Sequence, residues 1–151
     1  MLLSLIDMRT RAIRNWSRAH TILYRATGGR FGRRARGMEY LLLTTTGRRS
    51  GKRHTVPLLY LREDPSLAVI ASFGGKPRHP DWYWNLRQDP NVDVQVEGER
   101  FTATAREADA EERARLWPRA VAVWPGYAVY QKRTDRQIAI VILDRTVDSD
   151  K

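Results

Sequence analysis

Cysteine is absent from this chain of 151 residues. That excludes disulfide frameworks and thiolate metal centres and favours an intracellular setting. Histidine is scarce: His20, His54 and His79 stand at no metal-ligand spacing from one another or from acids, so no metal site is expected. No stretch approaches the ~20 apolar residues that cross a bilayer. The N-terminus lacks a basic region followed by an apolar run, so a cytoplasmic location is expected. Internal repeats, low-complexity tracts and a Gly-x-Ser-x-Gly nucleophile elbow are also missing. With neither nucleophile nor metal in view, catalysis would belong to a bound cofactor.

Negative charge is the other shortage, with 17 Asp+Glu against 27 Lys+Arg and a net charge of +10. Most of the excess is arginine, whose planar fork matches phosphate and carboxylate bidentately. The arginines cluster in residues 25–36 and 48–53, which general solubility does not explain. An acidic cofactor, an anionic membrane or a polyanion are the partners this pattern admits.

The length fits one domain with one core. Residues 2–26 place Leu2, Leu5, Ile6, Ile13, Trp16, Ala19 and Leu23 at near-helical spacing, with arginines between them. This predicts an amphipathic basic helix that packs on the domain or lies on anionic lipid. Residues 27–37 are rich in Gly and Arg and read as a linker, so 1–37 is set apart from a domain over 38–146 and a tail over 147–151.

Within that domain, Glu39–Thr46, Thr55–Arg62 and Leu67–Phe73 read as consecutive strands, Val92–Val96 and Arg100–Arg106 as a hairpin around Glu97-Gly98-Glu99, and Ile138–Leu143 as a last strand. Short helices are predicted from Pro80 to Arg87 and from Tyr127 to Lys132. A longer helix is expected after the cap Asp109 to about Val123, kinked or divided at Pro118. About six antiparallel strands with peripheral helices predict a mainly β fold, a small barrel.

Three constellations carry the chemistry. Gly47-Arg48-Arg49-Ser50-Gly51-Lys52 on the first hairpin is not a P-loop, since one spacer is missing and Arg53 replaces the magnesium-binding Ser or Thr. Its glycine-turn N–H groups and clustered cations still suit an anion. Ser72-Phe73-Gly74-Gly75, followed by Trp82-Tyr83-Trp84-Asn85, offers glycines for close backbone approach and aromatics to wall a planar ligand. Trp124-Pro125-Gly126-Tyr127-Ala128-Val129-Tyr130 puts two tyrosines on one helical face.

These motifs, in this order, resemble the deazaflavin (F420)-dependent nitroreductase family of actinobacteria. The likeness runs from about Glu39 to Leu143 through Leu-Leu-Thr-Thr-Thr-Gly-Arg-Arg-Ser-Gly, Ala-Ser-x-Gly-Gly, Pro-x-Trp-Tyr-x-Asn-Leu, Glu-Glu-Arg-x-x-x-Trp-Pro and Pro-Gly-Tyr-x-x-Tyr-Gln. It implies a split β-barrel of the flavin reductase and pyridoxamine-phosphate-oxidase type. It also implies coenzyme F420, an 8-hydroxy-5-deazaflavin with a phosphate and oligoglutamate tail, with FMN the less favoured alternative.

By position, the resemblance assigns Arg48, Arg49, Ser50, His54, Thr55, Val56, Pro57 and Leu58 to the phosphate, tail or ring edge. Ile70, Ala71, Ser72, Trp82, Tyr83 and Asn85 continue the cofactor cleft, and Tyr127, Tyr130 and Ser72 fall to the substrate side as candidates for stabilising or protonating developing charge. The chain departs from its relatives at Phe73, where a lysine is usual, at His54, where many have arginine, and at Trp124, where some have tyrosine. The expected activity is hydride transfer from reduced F420 to a small electron-poor acceptor such as a quinone, enone or nitroaromatic. The alternative is a non-catalytic carrier of a lipid, haem or flavin-like ligand in the same barrel. Nucleic acid is disfavoured as a partner, and a homodimer is admitted because barrels of this family often pair.

Overall fold

The computed structural model describes residues 34–35 and 38–147. The helix expected over residues 2–26 lies outside them. The described strands are β1 (Arg34–Ala35), β2 (Met38–Thr46), β3 (Arg53–Glu63), β4 (Ser66–Ile70), β5 (Asn91–Val96), β6 (Glu99–Glu107) and β7 (Ile140–Arg145). All pairings are antiparallel, in the order β1-β2-β3-β4-β7-β6-β5. Leu42–Thr44 of β2 pair with Asp93–Gln95 of β5 and close the sheet into a barrel of six strands, with β1 appended outside the ring. Within the stretch read as linker, Arg34 and Ala35 thus fold back on Glu39 and Met38.

The alternation of side chains explains the two layers of core. Leu41, Leu43, Val69, Val92, Val94, Val141 and Leu143 point into the barrel, joined by half-buried Val56 and Leu58. Ala68, Ile70, Ile140 and Ile142 point outward, where helices α2 (Ala110–Val123) and α3 (Gly126–Lys132) cover them with Leu116, Ala120 and Tyr127. Strands β4 and β7 are therefore buried on both faces, which is why they read as unbroken apolar runs.

Turn chemistry fixes the register. Between β5 and β6 the two loop residues Glu97 and Gly98 have φ of 53° and 80°, the left-handed pair that a tight hairpin needs. Helix α2 opens on a capping box: the Glu112 N–H donates to Asp109 Oδ1 (2.8 Å) and the Asp109 N–H donates to Glu112 Oε1 (3.1 Å).

Two expectations need correction. Pro118 does not divide α2, which runs unbroken past it, because Leu116 and Ala120 on either side are held in the outer core. The third strand ends at Ile70 rather than Phe73, because Phe73–Gly75 form a tight 3₁₀ turn with φ of 46°, 63° and 76°. Pairing persists only as far as the Ala71 N–H, which donates to the Ala139 carbonyl.

Candidate active-site cleft

The turn Gly47–Lys52 joins β2 to β3 and is closed by backbone bonds from the Gly47 N–H to the Lys52 carbonyl (2.7 Å) and from the Gly51 N–H to the Gly47 carbonyl (2.8 Å). A methyl at Gly47 would come within 2.7 Å of Ser50 Oγ and 2.8 Å of His54 Nε2, so glycine lets those two side chains fold over the turn. Facing it is helix α1 (Asp81–Gln88). Between them lies a cleft of about 800 Å³ lined by Arg48, Arg49, Ser50, His54, Val56, Pro57, Leu58, Ile70, Ser72, Trp82 and Asn85. Hairpin, barrel rim, helix and the strap of residues 71–80 that leads from β4 to α1 thus bring most of the predicted set together.

Asn85 is the joint between hairpin and helix. It is buried, and its Oδ1 accepts from the Arg48 N–H (3.2 Å) and from Arg48 Nη1 (3.1 Å), while its Nδ2 donates to Thr45 Oγ1 (3.2 Å). Arg48 Nη2 also lies 3.4 Å from Asp81 Oδ1. Arg48 is therefore mostly engaged by protein, and Arg53, on the other face of β3, donates to Thr46 Oγ1 and pairs with Asp93. Arg49 and Lys52 are left exposed, with no ion pair among the described residues, to meet an external anion.

Four predicted residues lie away from the cleft, and one stands behind it. Thr55 is on the opposite face of β3, where its hydroxyl meets that of Thr44 at 2.8 Å in a separate groove. Ala71 is fully buried in the barrel core. Tyr83 turns behind α1, stacks on His79 at 4.1 Å, donates to Glu107 Oε1 and accepts from Arg87 Nη1. Burial, with Glu107 beside it, raises the Tyr83 phenol above its usual range.

Tyr127 lies in the outer core, its phenol pushed far up by burial and then by the neighbouring Tyr40 and Tyr130. Tyr130 meets the Tyr127 ring edge-on and backs onto Gly75, so it stands behind the strap. Ser72 alone of the three substrate-side candidates faces the cleft.

Gly47, Phe73, Pro80 and Asp81 line the cleft without having been assigned to it. Phe73 could have been suspected from Gly74-Gly75, since it is held at positive φ, where a bulky residue is strained. Its ring carries Lys76 Nζ at 4.4 Å and the Arg78 guanidinium at 5.4 Å, so two cations stand beside this aromatic position.

A family model described as F420H2-dependent quinone reductase matches residues 16–145. The chain belongs to that family. An F420H2-dependent quinone reductase of Mycobacterium tuberculosis (strain H37Rv) is 39% identical over 132 residues, 85% of this chain and 89% of the relative. Among solved structures, an F420-H2 dependent reductase superposes with a TM-score of 0.64 at 44% identity, covering 70% of this chain and 93% of its own. A chain described as a domain-swapped dimer gives 0.68 at 35% identity, covering 95% of this chain and 100% of its own. A pyridoxamine 5′-phosphate oxidase-like protein of Listeria innocua, at 12% identity and 0.52 over 72% of this chain and 84% of its own, shares the fold alone. The quinone reductase family accordingly carries a split β-barrel here, as the sequence motifs imply.

Proposed function

We propose that this chain is an oxidoreductase that uses reduced coenzyme F420 to reduce a quinone or a similar electron-poor acceptor. The observation that carries the reading is the joining of the exposed Arg49 and the anchored Arg48 to an apolar, ring-sized wall in one cleft, within a chain that the F420H2-dependent quinone reductase family matches over residues 16–145. When bound, the reduced deazaflavin supplies a hydride which, with one proton, converts a quinone to its hydroquinone.

The residues present fit that group. Val56, Pro57, Leu58, Ile70 and Trp82 form an apolar bed for a planar ring, and Arg49 and Lys52 meet the acidic tail at the exposed hairpin. Arg48, fixed by Asn85 and Asp81, adds positive potential without having to move. Lys76 and Arg78 on Phe73 add more at the rim. Of the hydroxyls proposed to steady or protonate the acceptor, Ser72 has direct access to the cleft, whereas Tyr130 stands behind the strap and Tyr127 is held in the outer core.

Anaerobic titration with oxidised and reduced F420, followed by addition of a soluble quinone, tests this reading. Saturable binding and acceptor-dependent return of the oxidised absorbance are expected, and their joint absence would sink it. In Arg49→Ala, affinity should fall about tenfold and its salt dependence should flatten.

The finer points of partnership are proposals as well. The alternation of arginines and apolar residues over 2–26 supports contact with anionic membrane from the cytoplasmic side, testable by vesicle flotation. The domain-swapped relative supports pairing of two copies, testable by light scattering. No described helix is long and apolar enough to cross a membrane.

A further inference from the structure

Arg136 lies between α3 and β7, where none of the roles above reaches it. Its half-buried guanidinium is committed to the strap that leads from β4 to α1. Nη2 donates to the Ser72 carbonyl (2.7 Å), Nη1 to the Ala71 carbonyl (3.2 Å) and Nε to the Lys76 carbonyl (2.9 Å). Nη1 also lies 3.4 Å from His79 Nδ1. It forms no ion pair with a carboxylate among the described residues. One planar fork thereby grips the strap on both sides of the Phe73–Gly75 turn.

The strap needs such a grip. Three successive residues hold positive φ, one of them Phe73, and the turn's own bonds are two: the Gly75 N–H to the Ser72 carbonyl and the Lys76 N–H to the Phe73 carbonyl. Behind it α3 presses close, since a methyl on Gly75 would stand 2.6 Å from the Tyr130 carbonyl oxygen. Arg136 is itself seated: Gln131 Nε2 donates to its carbonyl (2.8 Å), and Gln131 Oε1 accepts from the Ile138 N–H (2.9 Å).

We propose that Arg136 is a positioning residue for the cleft. It holds the left-handed turn that keeps Ser72 and Phe73 on the cleft wall. Through His79, which stacks on Tyr83, it ties that wall to α1, whose Trp82 and Asn85 form the facing side. The effect on cofactor binding rests on the F420 reading, whereas the effect on the strap does not.

Arg136→Met keeps the stem and removes every donor. By hydrogen exchange, the Gly75 and Lys76 amides should exchange about tenfold faster or more while those of β4 and β7 keep their rates, and the Kd for oxidised F420 should rise about tenfold. His79 gives a second signature. Burial and then Arg136 hold its pKa below the ordinary value, with Arg87 also lowering it and Glu107 opposing, so its NMR titration should move up in the Met variant. It should stay in place in Arg136→Lys, which keeps the charge and gives intermediate exchange and Kd.

Unchanged exchange at Gly75 and Lys76 in folded Arg136→Met overturns the proposal. So does faster exchange with an unchanged Kd. If the Met variant fails to fold, the Lys variant decides by the same two readings. A wild-type protein that binds no F420 refutes the functional reading, and the exchange data then still decide what Arg136 does to the strap.

Discussion

Replacing Asn85 by alanine should cut the joint between the basic hairpin and α1, and the structure sets the size of the effect. Three hydrogen bonds disappear, two from Arg48 and one to Thr45 Oγ1. Typical bonds contribute about 1 kcal/mol net each, and the charged one is weakened by the partial exposure of Arg48. Thr45 is almost wholly buried, so its hydroxyl is left without this donor in a dry environment. A loss of about 2–3 kcal/mol follows, or a fall in Tm of about 6–9 °C for a chain of this size. Urea melts and differential scanning calorimetry would measure it.

Asn85→Asp, which retains an acceptor beside Arg48, should lose less than half as much. In the alanine variant the freed Arg48 should also weaken F420 binding several-fold. A double-mutant cycle with Arg48→Ala should show a coupling of about 1 kcal/mol or more. An alanine variant whose Tm lies within about 2 °C of wild type would refute the account of Asn85 as the joint.

Stability should be acid-sensitive at Glu112, whose carboxyl is held down to about 2 by its hydrogen bonds to Arg106 and then to the Asp109 N–H. A folded value below the ordinary 4.5 means stability that is complete above that pH and is lost as pH falls toward 2, so the urea midpoint should fall less steeply over that window in Glu112→Gln than in wild type. Asp109→Ala removes the N-cap of α2 and should cost about 1 kcal/mol in the same assay. Gly75→Ala, strained by a φ of 76° and by the contact with Tyr130, should cost about 2 kcal/mol or more and loosen the strap, read by thermal melting and by exchange at Lys76.

Much of the site was legible because its signals are local. Gly47 and Gly51 bracketing Arg48 and Arg49, with Lys52 directly after, mark a cationic turn whatever surrounds it, and Asp109 with Glu112 marks a helix start. Adjacent helical residues were harder. Trp82 and Tyr83 sit about 100° apart around α1, so one lines the cleft while the other faces His79 and Glu107, and the sequence contains nothing that picks between them. Thr55 shares its strand with His54 and Val56 but points the other way, as period two demands once the barrel interior is known. Division of α2 at Pro118 did not occur because a proline signals a local cost, whereas burial of Leu116 and Ala120 is tertiary.

The sequence by itself determined the antiparallel strands, their turns, the position of the basic hairpin and, through linked motifs, the family and its cofactor. The strands and turns follow from neighbours within a few residues, where alternation, capping and turn preferences act, whereas the family and its cofactor are what the resemblance of the linked motifs implies. Only the tertiary structure decided that β2 closes onto β5, that Ser72 rather than the tyrosines opens on the cleft, that Asn85 binds Arg48 from 37 positions away, and that Arg136 reaches back to Ser72 across 64. Contacts at such separations exist only after the chain has closed its loops and excluded water, and no short-range preference encodes which of many arginines will make them.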